Sequence, residues 1–218
     1  MFLVSVSGAT SRAGKTALAA SLLRARPGAV AVKFTATEDV FERCPRGTPC
    51  VVCDIATPFR IVEDPVVLGE EGTDTRRLAD AGAMRVVWAI ARAAHMDEAW
   101  AAVRERVGGA SVVVMEGSTI VDTARPDLLF FVLHPHLDPA RWKPTASALI
   151  ARADAVVLNR MAGDLRLPSP AVTAALSARH PRRVAIADAA SPSLAWADDL
   201  AARIPFPRSA RSEALAKA

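Results

Sequence analysis

The segment Gly8-Ala9-Thr10-Ser11-Arg12-Ala13-Gly14-Lys15-Thr16 constrains this chain more than any other. It follows an apolar, strand-like run at 2–7 and opens a helix-like run at 15–26. A strand-to-helix turn ending in Gly-Lys-Thr has the form of a phosphate-binding loop, G-x-x-x-x-G-K-[ST]. Backbone N–H groups of Thr10 to Thr16 can wrap a phosphate, and the positive end of the following helix favours the anion. Gly14 lets the chain pass close to it. Lys15 can reach the β- and γ-phosphates, and the Thr16 hydroxyl can ligate Mg²⁺. The candidate nucleotide-binding set is therefore Ala9, Thr10, Ser11, Arg12, Ala13, Gly14, Lys15 and Thr16. Ala9 stands where the pattern has its first glycine, and Gly8 sits one residue early.

The rest of the chain fits a fold that can carry such a loop. Short apolar runs at 29–34, 50–55, 85–91, 111–116, 128–133, 155–159 and 184–187 read as strands. Helix-like runs at 73–82, 96–107, 144–152, 169–179 and 193–203 fall between them. The strand runs are continuously apolar rather than alternating, as in a parallel sheet covered on both faces. The expected fold is a three-layer α/β P-loop NTPase with a mostly parallel central sheet flanked by helices. A length of 218 residues suits one nucleotide-binding domain over 1–205, with a Cys-containing loop at 35–54 and a flexible tail at 206–218. Hydrophobic residues make up 51%, too many for a disordered chain. The longest apolar run considered as a span, 128–133, falls far short of the roughly 18–20 residues a membrane crossing needs. With no leader-like start, the chain reads as soluble and cytoplasmic, without a membrane partner.

A phosphate loop needs an acid for Mg²⁺ or its water, and two strand-end acids compete. Glu116 follows Val112-Val113-Val114-Met115, and Asp54 follows Cys50-Val51-Val52-Cys53. Ligands of doubly wound sheets collect at the carboxyl ends of strands, so both can face the nucleotide. Glu116 is the favoured acid, and Asp54 an added Mg²⁺ or switch residue. Lys33 ends the second strand, where it can approach phosphates or an anionic substrate, or lie at the surface. It is one of only four lysines in the chain. Asn159 closes the strand at 155–159, where its amide can read a purine edge or shape a turn. The net charge of +4 comes from scattered arginines, with no basic stripe and no Tyr, which argues against nucleic acid.

All three cysteines, Cys44, Cys50 and Cys53, lie within ten residues in the spacing C-x5-C-x2-C. C-x2-C is a spacing found in zinc and iron–sulfur sites. Three readings stay open: a zinc or iron–sulfur site lacking its fourth ligand, redox-active thiols, and plain packing. His134-Pro135-His136 follows the strand at 128–133 and can supply ligands, contact a substrate or lie in solvent.

The loop from Ser7 to Thr16 and the strand ending in Lys33 are similar to the start of the molybdopterin-guanine dinucleotide biosynthesis adaptor family. Gly72-Thr73-Asp74-Thr75-Arg76-Arg77-Leu78-Ala79-Asp80-Ala81-Gly82-Ala83 resembles that family's GKDS-x-R-hydrophobic-x-x-AGA stretch. The strand ending in Glu116-Gly117 resembles its stretch of four hydrophobics before Glu-Gly. These blocks span residues 1–120 in the family's order. The later half is closer to the wider dethiobiotin-synthetase-like group of P-loop proteins. The resemblance implies a nucleotide-binding fold, GTP or ATP with Mg²⁺, a homodimer, and a cofactor-biosynthesis partner protein. Ala9 and the cysteine spacing depart from the family pattern and point to a divergent, metal-handling member.

Three functions follow as expectations. The first is an NTP-binding accessory of cofactor or metal-centre assembly with slow hydrolysis, in which Lys15, Thr16, Glu116 and Asp54 serve the chemistry. The second is an ATP-dependent ligase or kinase acting on a small molecule. The third is a metal-binding or redox-sensing module whose nucleotide loop is non-catalytic.

Overall fold

The computed structural model describes residues 1–37, 57–161, 163–191 and 195–206. Its strands are β1 (Phe2–Gly8), β2 (Val30–Ala36), β3 (Phe59–Val62), β4 (Arg85–Ala91), β5 (Val112–Glu116), β6 (Leu128–Leu133), β7 (Ala155–Asn159) and β8 (Val184–Ala187). They form one eight-stranded sheet in the order β3-β4-β2-β5-β1-β6-β7-β8. Every pairing is parallel except β3 with β4. The helices are α1 (Lys15–Ala25), α2 (Pro65–Leu68), α3 (Asp74–Asp80), α4 (Met96–Val107), α5 (Val121–Ala124), α6 (Ala146–Arg152), α7 (Pro170–Ser177) and α8 (Asp198–Ala202).

Side chains alternate across the sheet, and the helices cover the two faces separately. On one face, Leu18, Leu22 and Leu23 of α1, Leu78 of α3 and Leu200 of α8 pack on Val4, Val6, Ala31, Val112 and Val114. On the other, Trp100, Val103 and Val107 of α4 cover Val32, Val87, Val113 and Met115. Leu149 and Ile150 of α6, with Val172 and Leu176 of α7, cover Leu129, Phe131 and Val156. This is the expected three-layer α/β architecture with a mostly parallel sheet. The two-residue period has a functional consequence. Lys33 shares the face of Ala31, and Glu116 the face of Val114, so both strand-end groups stand on the α1 side.

Local chemistry sets the helix ends. Thr73 caps α3 by accepting from the Arg76 N–H at 3.2 Å, and Gly82 beyond it takes φ 88°. Ser169 caps α7, with Pro170 at its first position. The expected helix at 193–203 is replaced by a short 3-10 turn at Ala195–Ala197 and α8. The edge strand β3 and the short helices α2 and α5 add to the expected elements. The strand-like run expected at 50–55 lies outside the described residues, as do Asp54, the three cysteines and 207–218. Among the described residues, no helix is long and apolar enough to cross a membrane.

Candidate functional site

The candidate phosphate loop joins β1 to α1 at the carboxyl end of the sheet. Its left-handed turns fall on Arg12 (φ 63°) and Gly14 (φ 105°), not on Ala9. A glycine is therefore not required at position 9. The Ala9 methyl is fully buried beside Val121, Leu133 and Trp142. The close approach falls one residue earlier, since a Cβ on Gly8 would lie 2.9 Å from the Val132 carbonyl oxygen and 2.9 Å from Lys15 Cγ. This accounts for the shift of the glycine relative to the usual pattern. Ser118 closes the loop's entry, its Oγ accepting from the Gly8 N–H at 3.2 Å. Among the described residues, no hydrogen bond occupies the N–H groups of Thr10 to Thr16. These are the donors a phosphate would take.

Around the loop stands a connected set of charged groups. The Thr16 hydroxyl donates to Glu116 Oε2 at 2.8 Å. The Lys33 ammonium donates to Glu116 Oε1 and to Asp74 Oδ2, both at 2.6 Å. Glu116 is 1% exposed, whereas the Asp74 side chain is 43% exposed. The sheet register creates the inner pair, because Lys33 on β2 lies directly beside Glu116 on β5. Asp74 enters from the first position of α3, which packs on α1, and also interacts with the Thr16 hydroxyl. Burial opposes the charges of Lys33 and Asp74. Their mutual attraction, with Glu116, outweighs it, holding Lys33 above and Asp74 below their ordinary ranges.

Lys15 folds back over its own loop, donating to the Thr10 carbonyl at 2.9 Å. Burial lowers its pKa to about 8, and repulsion from Lys143 and Lys33 adds to this against attraction from Glu116 and Asp74. Lys143, which no sequence motif marks, also acts on the site. Its backbone N–H donates to the Ala9 carbonyl at 2.8 Å, fixing it beside the loop. Its side chain is exposed, and partial desolvation and then repulsion from Lys33 hold its pKa below the ordinary range, against the pull of Glu116. Three of the chain's four lysines thus act on one site.

A pH dependence follows from Lys15. A bound polyphosphate favours the charged ammonium and raises its pKa, so binding takes up a proton wherever free Lys15 is neutral. Lys143 shifts in the same direction, while Lys33 stays charged between Glu116 and Asp74. For a polyphosphate on this loop, affinity measured by calorimetry should change little through Lys15 below about pH 7 and then fall by up to about tenfold per pH unit for each lysine that must take up a proton. Affinity that rises above pH 8 would contradict this.

The donor set near Thr16 suits a hard cation. The Thr16 proton is used by Glu116, leaving the oxygen lone pairs for a metal. Two carboxylates and a hydroxyl match the way Mg²⁺ binds, through one or two acids, several waters and substrate phosphates. The Lys33 ammonium, held between both acids, shows that this pocket accepts a cation. Among the described residues, no three or more His, Cys, Asp or Glu converge as a metal cluster.

Asn159 sits beneath the loop. Its Nδ2 donates to the Ala13 carbonyl at 3.0 Å, and its Oδ1 accepts from the Ala189 N–H at 2.9 Å. The amide thus ties β7 to the loop and uses one donor and one acceptor position in doing so. His134 and His136 pack edge to face, 5.8 Å apart, and His136 Nε2 lies 4.0 Å from Asp164. Among the described residues, no hydrogen bond joins either histidine to Lys15, Lys33 or Glu116.

Comparison with known proteins returns no match to this chain, whether among protein-family models, curated proteins or solved structures.

Proposed function

We propose that the protein binds a nucleoside triphosphate, ATP or GTP, with Mg²⁺ and hydrolyses it slowly, as an accessory in cofactor or metal-centre assembly. One observation carries the nucleotide reading. A loop whose N–H groups find no partner among the described residues, capped by Lys15, lies against the Thr16–Glu116–Lys33–Asp74 network at the carboxyl end of a mostly parallel sheet. The loop amides and Lys15 would hold the phosphates, and Thr16, Glu116 and Asp74 the metal. Mg²⁺ supplies charge neutralisation on the β- and γ-phosphate oxygens when bound. Lys15, Lys33 and the loop N–H groups stabilise the charge that develops as water attacks the γ-phosphorus. The accessory role rests on the resemblance of residues 1–120 to the molybdopterin-guanine dinucleotide adaptors. A homodimer and a partner protein belong to the same proposal.

The test uses Glu116→Gln, which keeps size and removes charge. Mg²⁺-dependent phosphate release from ATP or GTP should fall about a hundredfold. Nucleotide binding in the presence of a chelator should stay within about threefold of wild type. Undiminished release would remove Glu116 from the chemistry and the reading with it.

A small-molecule ligase or kinase is favoured by one observation: Lys33 and Lys143 add positive charge to the field at Lys15, beyond what the loop lysine alone supplies. Phosphate release strictly dependent on an added acid would select it. The cysteine proposal is checked separately. If Cys44, Cys50 and Cys53 hold zinc or an iron–sulfur cluster, anaerobically purified protein carries zinc or iron in stoichiometric amount, read by elemental analysis. Metal-free protein would reject it.

A further inference from the structure

We propose that Lys33 is a built-in occupant of the divalent-cation seat. Its ammonium, bridging Glu116 and Asp74, keeps free metal out of the nucleotide-free protein, so metal enters together with the triphosphate. The inference rests on the Mg²⁺–nucleotide reading above and adds an order of binding to it.

The geometry is specific. Lys33 Nζ lies 2.6 Å from Glu116 Oε1 and 2.6 Å from Asp74 Oδ2, while Glu116 Oε2 takes the Thr16 proton. The ammonium therefore sits on both carboxylates that a metal would use. Its position is set by the backbone, since Lys33 and Glu116 are register neighbours on β2 and β5 and face the same side of the sheet. With Lys33 in place the three groups sum to one negative charge; without it they present two. A free divalent cation would have to shed part of its hydration shell, displace a half-buried ammonium and approach the charges of Lys15 and Lys143. A triphosphate removes each obstacle. It neutralises the lysines, gives the displaced ammonium new anionic partners, and supplies phosphate oxygens as additional metal ligands.

The experiment titrates Mn²⁺ alone into nucleotide-free protein and reads free Mn²⁺ by electron paramagnetic resonance. Lys33→Met should bind Mn²⁺ at least about tenfold more tightly than wild type. Lys143→Met removes a cation from the same field without vacating the seat, and should gain clearly less than Lys33→Met, about threefold at most. Lys33→Gln, whose amide still donates to Glu116, takes the place of the Met variant if that chain does not fold. Wild-type binding as tight as that of the Lys33 variants would overturn the proposal. So would an equal gain in Lys143→Met, because general electrostatics would then suffice. A separate arm adds Mn²⁺ with a non-hydrolysable triphosphate to wild type and to Glu116→Gln. If Glu116→Gln leaves that ternary complex intact, the Mg²⁺ reading itself falls. If it breaks the complex yet the Lys33 variants gain nothing, only the gatekeeping role falls.

Discussion

A Lys15→Ala variant should bind ATP or GTP roughly a hundredfold more weakly than wild type, because it loses a charge-assisted phosphate contact of about 2–3 kcal/mol. The nucleotide-free protein should not suffer for it. In that state the ammonium has one hydrogen-bond partner among the described residues, the Thr10 carbonyl. Burial lowers its pKa to about 8 from the ordinary 10.5, so the fold disfavours its charge. The sign follows from proton binding. Between these two values the unfolded chain holds the Lys15 proton more firmly than the folded one, so the group's contribution to stability rises with pH. Below pH 8 the full penalty is present, and Ala, the best helix former, removes it at the first position of α1. At pH 7 the melting temperature of the nucleotide-free variant should therefore equal or exceed that of wild type, while calorimetry shows affinity lost. A variant that keeps wild-type affinity would reject the phosphate-loop reading. One that loses affinity only by unfolding would show a lowered melting temperature instead.

Much of this site is legible in the sequence, and the parts that are not share one physical cause. Gly14, Lys15 and Thr16 are local: a strand, a turn and a helix within sixteen residues determine where they point. Glu116 and Lys33 are half-local. Each is the polar end of an apolar strand, which places it at the sheet's ligand-binding edge. That they are register neighbours depends on β2 lying beside β5, a pairing across eighty residues. Asp74 is further still. Read locally, it is an acid in the first turn of a helix, whereas Asp54 reads in the sequence as a strand-end acid of the more familiar kind. Only the packing of α3 on α1 brings Asp74 to Thr16 and Lys33. Lys143 lies in an irregular stretch with no motif around it, and a backbone hydrogen bond to Ala9 sets its place. Its available signal was scarcity, since lysine is rare in a chain whose basic residues are otherwise arginine. The edge strand β3 escaped for a different reason. Four residues, Phe-Arg-Ile-Val, carry little periodicity, and their antiparallel pairing with β4 is a tertiary event.

The turn at Gly14 sets up the second large effect. Gly14→Ala should destabilise the protein by about 3 kcal/mol or more, through two separable causes. The backbone there has φ 105°, which side chains rarely adopt, and an added Cβ would lie 2.2 Å from Asn159 Nδ2. Asn159 would have to leave, breaking its bonds to Ala13 and Ala189. Asn159→Ala alone removes those two bonds and should cost about 1–3 kcal/mol. The double variant keeps the strained φ but has no side chain to collide with. Its loss should therefore be smaller than the sum of the two single losses by about 1–3 kcal/mol. Urea unfolding with an unchanged m-value measures all three. Strict additivity would mean that Asn159 does not brace the loop, and that its amide is free for another role. The predicted coupling would identify Asn159 as the strut that holds Gly14 in its left-handed turn. Nucleotide affinity should then fall in Asn159→Ala as well, although its hydrogen bonds among the described residues go to backbone, because the loop N–H groups would no longer be held in register for the phosphates.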